Sequence, residues 1–109
     1  MKKTDLKRLG NNEKVSSIVM MPTACVKCQI GQDWYQCQFE AIFAPSGYYP
    51  DYMQVQQFVM DEIDGKDLNI EQAARLLYDF LLMFEPKSLT VVNHVRGCKS
   101  HFDVDVRIG

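Results

Sequence analysis

No stretch of this chain approaches the roughly 18 consecutive apolar residues a membrane-crossing helix needs, and its N-terminus lacks the apolar centre of a signal peptide. A cytoplasmic protein with no membrane partner is therefore expected. Charge of one sign is not in excess either: 12 lysines and arginines against 14 aspartates and glutamates leave a net charge of -2. That balance argues against an electrostatic grip on nucleic acid by the domain as a whole and leaves room for a local basic patch. There is no internal repeat and no low-complexity tract. With 109 residues, 47% of them hydrophobic and 24% charged, the chain can build one modest globular core and not two. Its four cysteines, Cys25, Cys28, Cys37 and Cys98, read in a cytosolic setting as reduced thiols for catalysis, metal or packing before disulfides.

What is present can be taken in order. Residues 1–14 carry Lys2, Lys3, Lys7, Arg8 and Lys14 against Asp5 and Glu13, which predicts a basic, solvated tail before a single domain over 15–109. Val15 to Met21 suits a strand closed by Pro22. Trp34 to Phe43 alternates, with Tyr35, Cys37, Phe39, Ala41 and Phe43 on one side, so a strand with one buried face is expected and Cys37 reads as core filler. Pro45, Gly47 and Pro50 mark a loop. Asp51 then caps a helix carrying Tyr52, Val55, Phe58, Val59 and Ile63, and Asp64-Gly65 stops it. Asn69 with Gln72 makes a capping box for a second helix, whose stripe Ile70, Ala73, Ala74, Leu77, Phe80, Leu81 and Phe84 runs to Pro86.

The last segment reads as a hairpin. With a connection over 97–100, Val95 meets Phe102, Val91 meets Val106 and Leu89 meets Ile108, gathering the apolar side chains on one face. Strand, strand, helix, helix, strand, strand predicts an α+β domain: an antiparallel four-stranded sheet with both helices on one face. The other face would carry Gln36, Gln38, Glu40, Thr90, His94, Asp103, Asp105 and Arg107. A sheet with two open edges remains a pairing template, so a homo-oligomer is expected, its subunits joining edges into a barrel lined by that polar face.

The chemistry concentrates between Cys25 and Trp34, where two thiols, an ammonium and a carboxylate fall within ten residues read as a connection between strands. From spacing alone, three uses stay open: a nucleophile, small apolar packing, or half of a zinc site. Cys25-x-x-Cys28 and Cys98-x-x-His101 together make a Cys₃His set of the kind structural zinc takes.

Several short matches, in order, resemble the 7-cyano-7-deazaguanine reductases of queuosine biosynthesis, nitrile reductases of the tunnelling fold. Leu9-Gly10-Asn11 is similar to a Leu-Gly-Asn near that family's start. Pro22, Cys28, Gly31-Gln32 and Asp33-Trp34 resemble its proline, cysteine and Gly-Gln-Pro-Asp-aromatic run. Pro45, Glu71, Pro86 and Arg96-Gly97 resemble a strand-closing proline, a Phe-His-Glu, a Pro-Arg and an Arg-Gly-Gly. The resemblance implies a ββααββ unit, assembly of subunits into barrels, and a 7-deazaguanine-type substrate bound at a subunit interface. The chain departs from the family in three places. Pro50-Asp51-Tyr52-Met53-Gln54 stands where the family has Glu-Ser-Lys-Ser-Leu, tied to its nicotinamide cofactor. Ile70 stands in place of the histidine, and two residues are missing between Cys28 and Asp33. Shorter relatives without that signature transfer ammonia to the nitrile on transfer RNA, so NADPH-dependent reduction and amidine formation both remain open.

By that resemblance Cys28 is the nucleophile that adds to the nitrile, favoured by the neighbouring Lys27, and Cys25 is its alternative. Asp33 is the general acid for the thioimide nitrogen. Glu71 accepts two N–H bonds from the guanine-like edge, and Arg96 holds an anionic group of cofactor or substrate. Other readings of the same residues are a turn aspartate, a first-turn glutamate favourable to the helix dipole and a solvated hairpin end. Two rivals stand beside the enzyme: the zinc domain, and a non-catalytic binder of a purine- or pterin-like ring through Glu71 alone.

Overall fold

A computed structural model describes residues 15–27, 34–97 and 103–109, with the backbone alone at Lys7, Arg8 and Lys27. The architecture is built on β4 (Trp34–Ala44), whose alternation is strict: Cys37, Phe39, Ala41 and Phe43 are buried while Gln36 and Gln38 between them are exposed. It pairs antiparallel with β6 (Ser88–Gly97) from Tyr35↔Gly97 to Ala44↔Ser88. On its other side run β2 (Ile18–Met20) and β3 (Thr23–Lys27), and β7 (Asp103–Ile108) completes the far edge beside β6.

The first strand is longer than the sequence suggests. Pro22 was expected to close it, yet pairing to β4 resumes at Thr23. Proline lacks a donor but keeps its carbonyl, which accepts from the Phe39 N–H at 2.9 Å and bridges the break. β2 and β3 thus form one interrupted edge strand, and the sheet has the four antiparallel positions expected. Cys25, read as part of a connection, lies inside β3.

Both helices cover one face. α1 (Tyr52–Glu62) and α2 (Ile70–Leu82) each open with a capping box, Asp51 with Gln54 and Asn69 with Gln72. Val55 and Val59 from α1, Ile63 at its C-cap, and Ala73, Leu77 and Leu81 from α2 join Cys37, Phe39, Phe43, Val91 and Val95 in one core. Phe58 stacks on Phe80 with centroids 4.2 Å apart, and Phe80 and Phe43 each meet Phe84 edge to face. Tyr52, expected on the buried stripe, is half exposed instead, because it is the first helical residue and precedes the turn that reaches the sheet. α2 stops at Leu82, short of Pro86; Glu85 turns the chain with a left-handed φ of 52°.

Two further sequence expectations need correction. The final hairpin pairs Val95↔Val104 and Val91↔Ile108 rather than Val95 with Phe102 and Val91 with Val106. The slip is two residues, so every side chain keeps its face and only its partner changes; a period of two fixes parity but not absolute register. The basic segment is not wholly a tail, since Lys7–Arg8 (β1) pairs with Tyr48–Tyr49 (β5) inside the segment expected to be a loop. Among the described residues no helix is long and apolar enough to cross a membrane.

Candidate functional site

On the face away from the helices the register lines up polar side chains across neighbouring strands. One row runs Cys25↔Gln36↔Arg96↔Asp103, and the next Thr23↔Gln38↔His94↔Asp105. Adjacent strands lie about 4.8 Å apart, which sets Cys25 and Arg96 roughly 10 Å apart at their Cα atoms. Arg96 Nε lies 3.5 Å from Asp103 Oδ1, with both side chains about three-quarters exposed. His94 Nδ1 is 2.9 Å from Asp105 Oδ1, and its Nε2 is 3.8 Å from Glu40 Oε1. An open concavity of about 350 Å³ lies over this surface, lined by Gln36, Gln38, His94, Arg96, Asp103 and Asp105 among others.

Cys25 sits at the open edge of the sheet. Its N–H donates to Asp64 Oδ1 at 2.9 Å and its carbonyl accepts from the Gly65 N–H at 2.7 Å. The turn after α1 thereby occupies the unpaired side of β3, much as another strand would. Gly65 has φ 74°, a conformation glycine adopts without the Cβ penalty. A smaller concavity of about 180 Å³ opens here among Cys25, Gln36, Gln56, Met60 and Asp64. Gln36 lines both spaces and is the direct lateral neighbour of Cys25 and of Arg96.

Glu71, the other residue singled out from the sequence, lies on the helix-bearing side. Glu71 is exposed in the first turn of α2, which lies over β6 and β7. Cys25, by contrast, faces outward from the opposite edge strand, so a single chain does not bring Glu71 and Cys25 onto one surface. Cys37 is fully buried, as its place in the alternation implies. Burial pushes its thiol from 9.0 to about 11; the Asn93 hydrogen bond works the other way, and the nearby Cys25 raises it further.

Asn93 was missed by sequence reasoning. It is fully buried, and its Nδ2 donates to Ile70 O at 3.2 Å and to Cys37 Sγ at 3.4 Å. Its Oδ1 meets no donor among the described residues. The signal was available: position 93 falls between Val91 and Val95 on the inward side of a strand, where an apolar residue is the rule. Cys28, Asp33, Cys98 and His101 lie outside the described residues, and of the proposed zinc set only Cys25 is described.

No protein-family model matches the chain, and no curated protein matches it. Among solved structures, its fold is similar to that of a protein described as the archaeosine synthase QueF-Like in the apo form. The TM-score is 0.72, with 16% sequence identity over 88% of this chain and 94% of that one. At that identity the likeness is one of fold, and it covers nearly the full length of both. The chain is an α+β domain with the ββααββ tunnelling-fold architecture.

Proposed function

We propose that this chain acts on the nitrile of 7-cyano-7-deazaguanine in transfer RNA, converting it to an amidine through a cysteine thioimide. The observation that carries the reading is the near-complete two-way overlap of fold with an archaeosine synthase. In the first step the Cys28 thiolate adds to the nitrile carbon, forming a C–S bond, and Asp33 gives a proton to the nitrogen. Ammonia then adds to the same carbon, and loss of the thiolate with proton transfer leaves the amidine. Cys25 is the alternative nucleophile. Glu71 pins the guanine-like edge by accepting two N–H bonds. Glu71 and Cys25, the alternative nucleophile, face different sides of one chain, which supports a homo-oligomer with the substrate between subunits.

Reduction fits these residues less well. Where the resemblance sets the nicotinamide signature, Asp51 and Gln54 are spent on capping α1, and the only charged side chain between 50 and 54 is a carboxylate. A phosphate-bearing cofactor gains no cation there. Arg96 is better suited to a transfer RNA phosphate beside the outer row.

The test is an intact mass after mixing the protein with 7-cyano-7-deazaguanine. One adduct per chain is expected, absent in Cys28→Ala, and no NADPH oxidation. An adduct that survives Cys28→Ala but is lost in Cys25→Ala moves the role to Cys25. Stoichiometric zinc with no adduct assigns the thiols to a metal, and tight binding without adduct makes the chain a ring binder.

A further inference from the structure

We infer that Asn93 is the positioning residue for Glu71, holding from beneath the peptide group on which that carboxylate is carried. The inference rests on the proposed reading of Glu71 as the ring-binding group. A carbonyl oxygen only accepts, so the group facing Ile70 O must be the amide Nδ2, which fixes the orientation of the side chain. Ile70 is the first residue of α2, and the peptide unit whose oxygen Asn93 holds is the one whose nitrogen belongs to Glu71.

Asn93 is an unlikely choice for stability alone. It stands on the inward face of β6, between Val91 and Val95 and paired with Phe39 and Val106, with no exposed surface and an oxygen that meets no donor among the described residues. Such an oxygen loses its hydration and regains nothing, whereas an apolar side chain of the same shape would not. The helix does not require the bond either, since Ile70 O already faces the N–H four residues on in α2. What the contact does supply is a lateral tie between sheet and helix at the turn that carries Glu71. Elsewhere α2 is seated by apolar contacts, Ala73, Leu77 and Leu81 on the sheet, which resist separation but tolerate small rotations. A directional bond at the first turn removes that freedom where a carboxylate has to meet two ring donors at once.

A double-mutant cycle on the full-length protein tests this, with 7-deazaguanine as the probe because it carries the ring without the reactive nitrile. Binding is read by calorimetry and folding by Tm for wild type, Asn93→Leu, Glu71→Gln and the double variant. Asn93→Leu is expected to keep or raise Tm while weakening binding about tenfold, and to cost nothing further in the Glu71→Gln background. If Asn93→Leu does not fold, Asn93→Ser, which falls short of the Ile70 carbonyl, replaces it with the same expectation for binding. Wild-type affinity in the Asn93 variant, or losses that add in full in the double, overturns the inference while leaving Glu71 in place. Wild-type affinity in Glu71→Gln removes the ring-binding reading itself, and the positioning role with it.

Discussion

The two faces of the β4–β6 pair carry different kinds of residue at the same spacing. Toward the helices stand Cys37, Phe39, Ala41, Phe43, Val91 and Val95, all buried, with Asn93 as the one polar member. Away from them stand Gln36, Gln38, His94 and Arg96, joined in register to Cys25 and Asp103. Neighbouring residues on one strand thus differ in kind: the inward ones build the core, while the outward ones are mostly polar side chains left at the surface, with Val92 buried among them. The contrast also separates two thiols. Cys37 is sealed and held neutral, while Cys25 lies exposed in the row with Gln36 and Arg96.

The sharpest way to break this division is to cut into the inward face. Phe39→Ala removes a fully buried ring at the centre of the core and should cost about 3–5 kcal/mol in denaturant unfolding. A loss below about 1 kcal/mol would mean that the sheet and helices are not packed as described. The second test is pH. The folded chain holds Cys37 protonated to about 11, against 9.0 ordinarily, so its contribution is fully present below pH 9. It is lost as pH rises toward about 11, because the unfolded chain gives up its proton first. Stability should fall by on the order of 2 kcal/mol across that window, and Cys37→Ala should flatten the slope. Next comes Asn69→Ala, which strips the α2 capping box and should cost about 1 kcal/mol by the same unfolding assay. The smallest effect belongs to the outward face: Arg96→Ala breaks an exposed ion pair and should shift stability by no more than about 0.5 kcal/mol. A larger shift would make the outer row part of the scaffold.

Much of the fold was legible because it rests on periodicity. The strand from Trp34, the Asp51 cap, the Asn69–Gln72 capping box and the helical stripes follow from side-chain spacing and local hydrogen bonding, and the structure contains them, adding Gln54 as the second half of a box at α1. What spacing could not show were events decided across the sheet. Pro22 ends a ladder by its missing donor but continues one by its carbonyl, and only the partner strand reveals that Phe39 uses it. The two-residue slip of the hairpin is invisible to a pattern of period two. Of the candidate site, Cys25, Glu71 and Arg96 were named from short matches, but the row joining Cys25 to Arg96 through Gln36 appears only once the strands are in register. Asn93 was overlooked because its neighbours Val91 and Val95 carried the alternation without it.

The division between the two faces and the proposed chemistry meet in one experiment: peptide mapping after incubation with 7-cyano-7-deazaguanine, to find which cysteine carries the added mass. The account predicts the label on the peptide holding Cys25 and Cys28, with Cys37 unmodified in the folded protein. A label on Cys37, or none on any thiol, would contradict it.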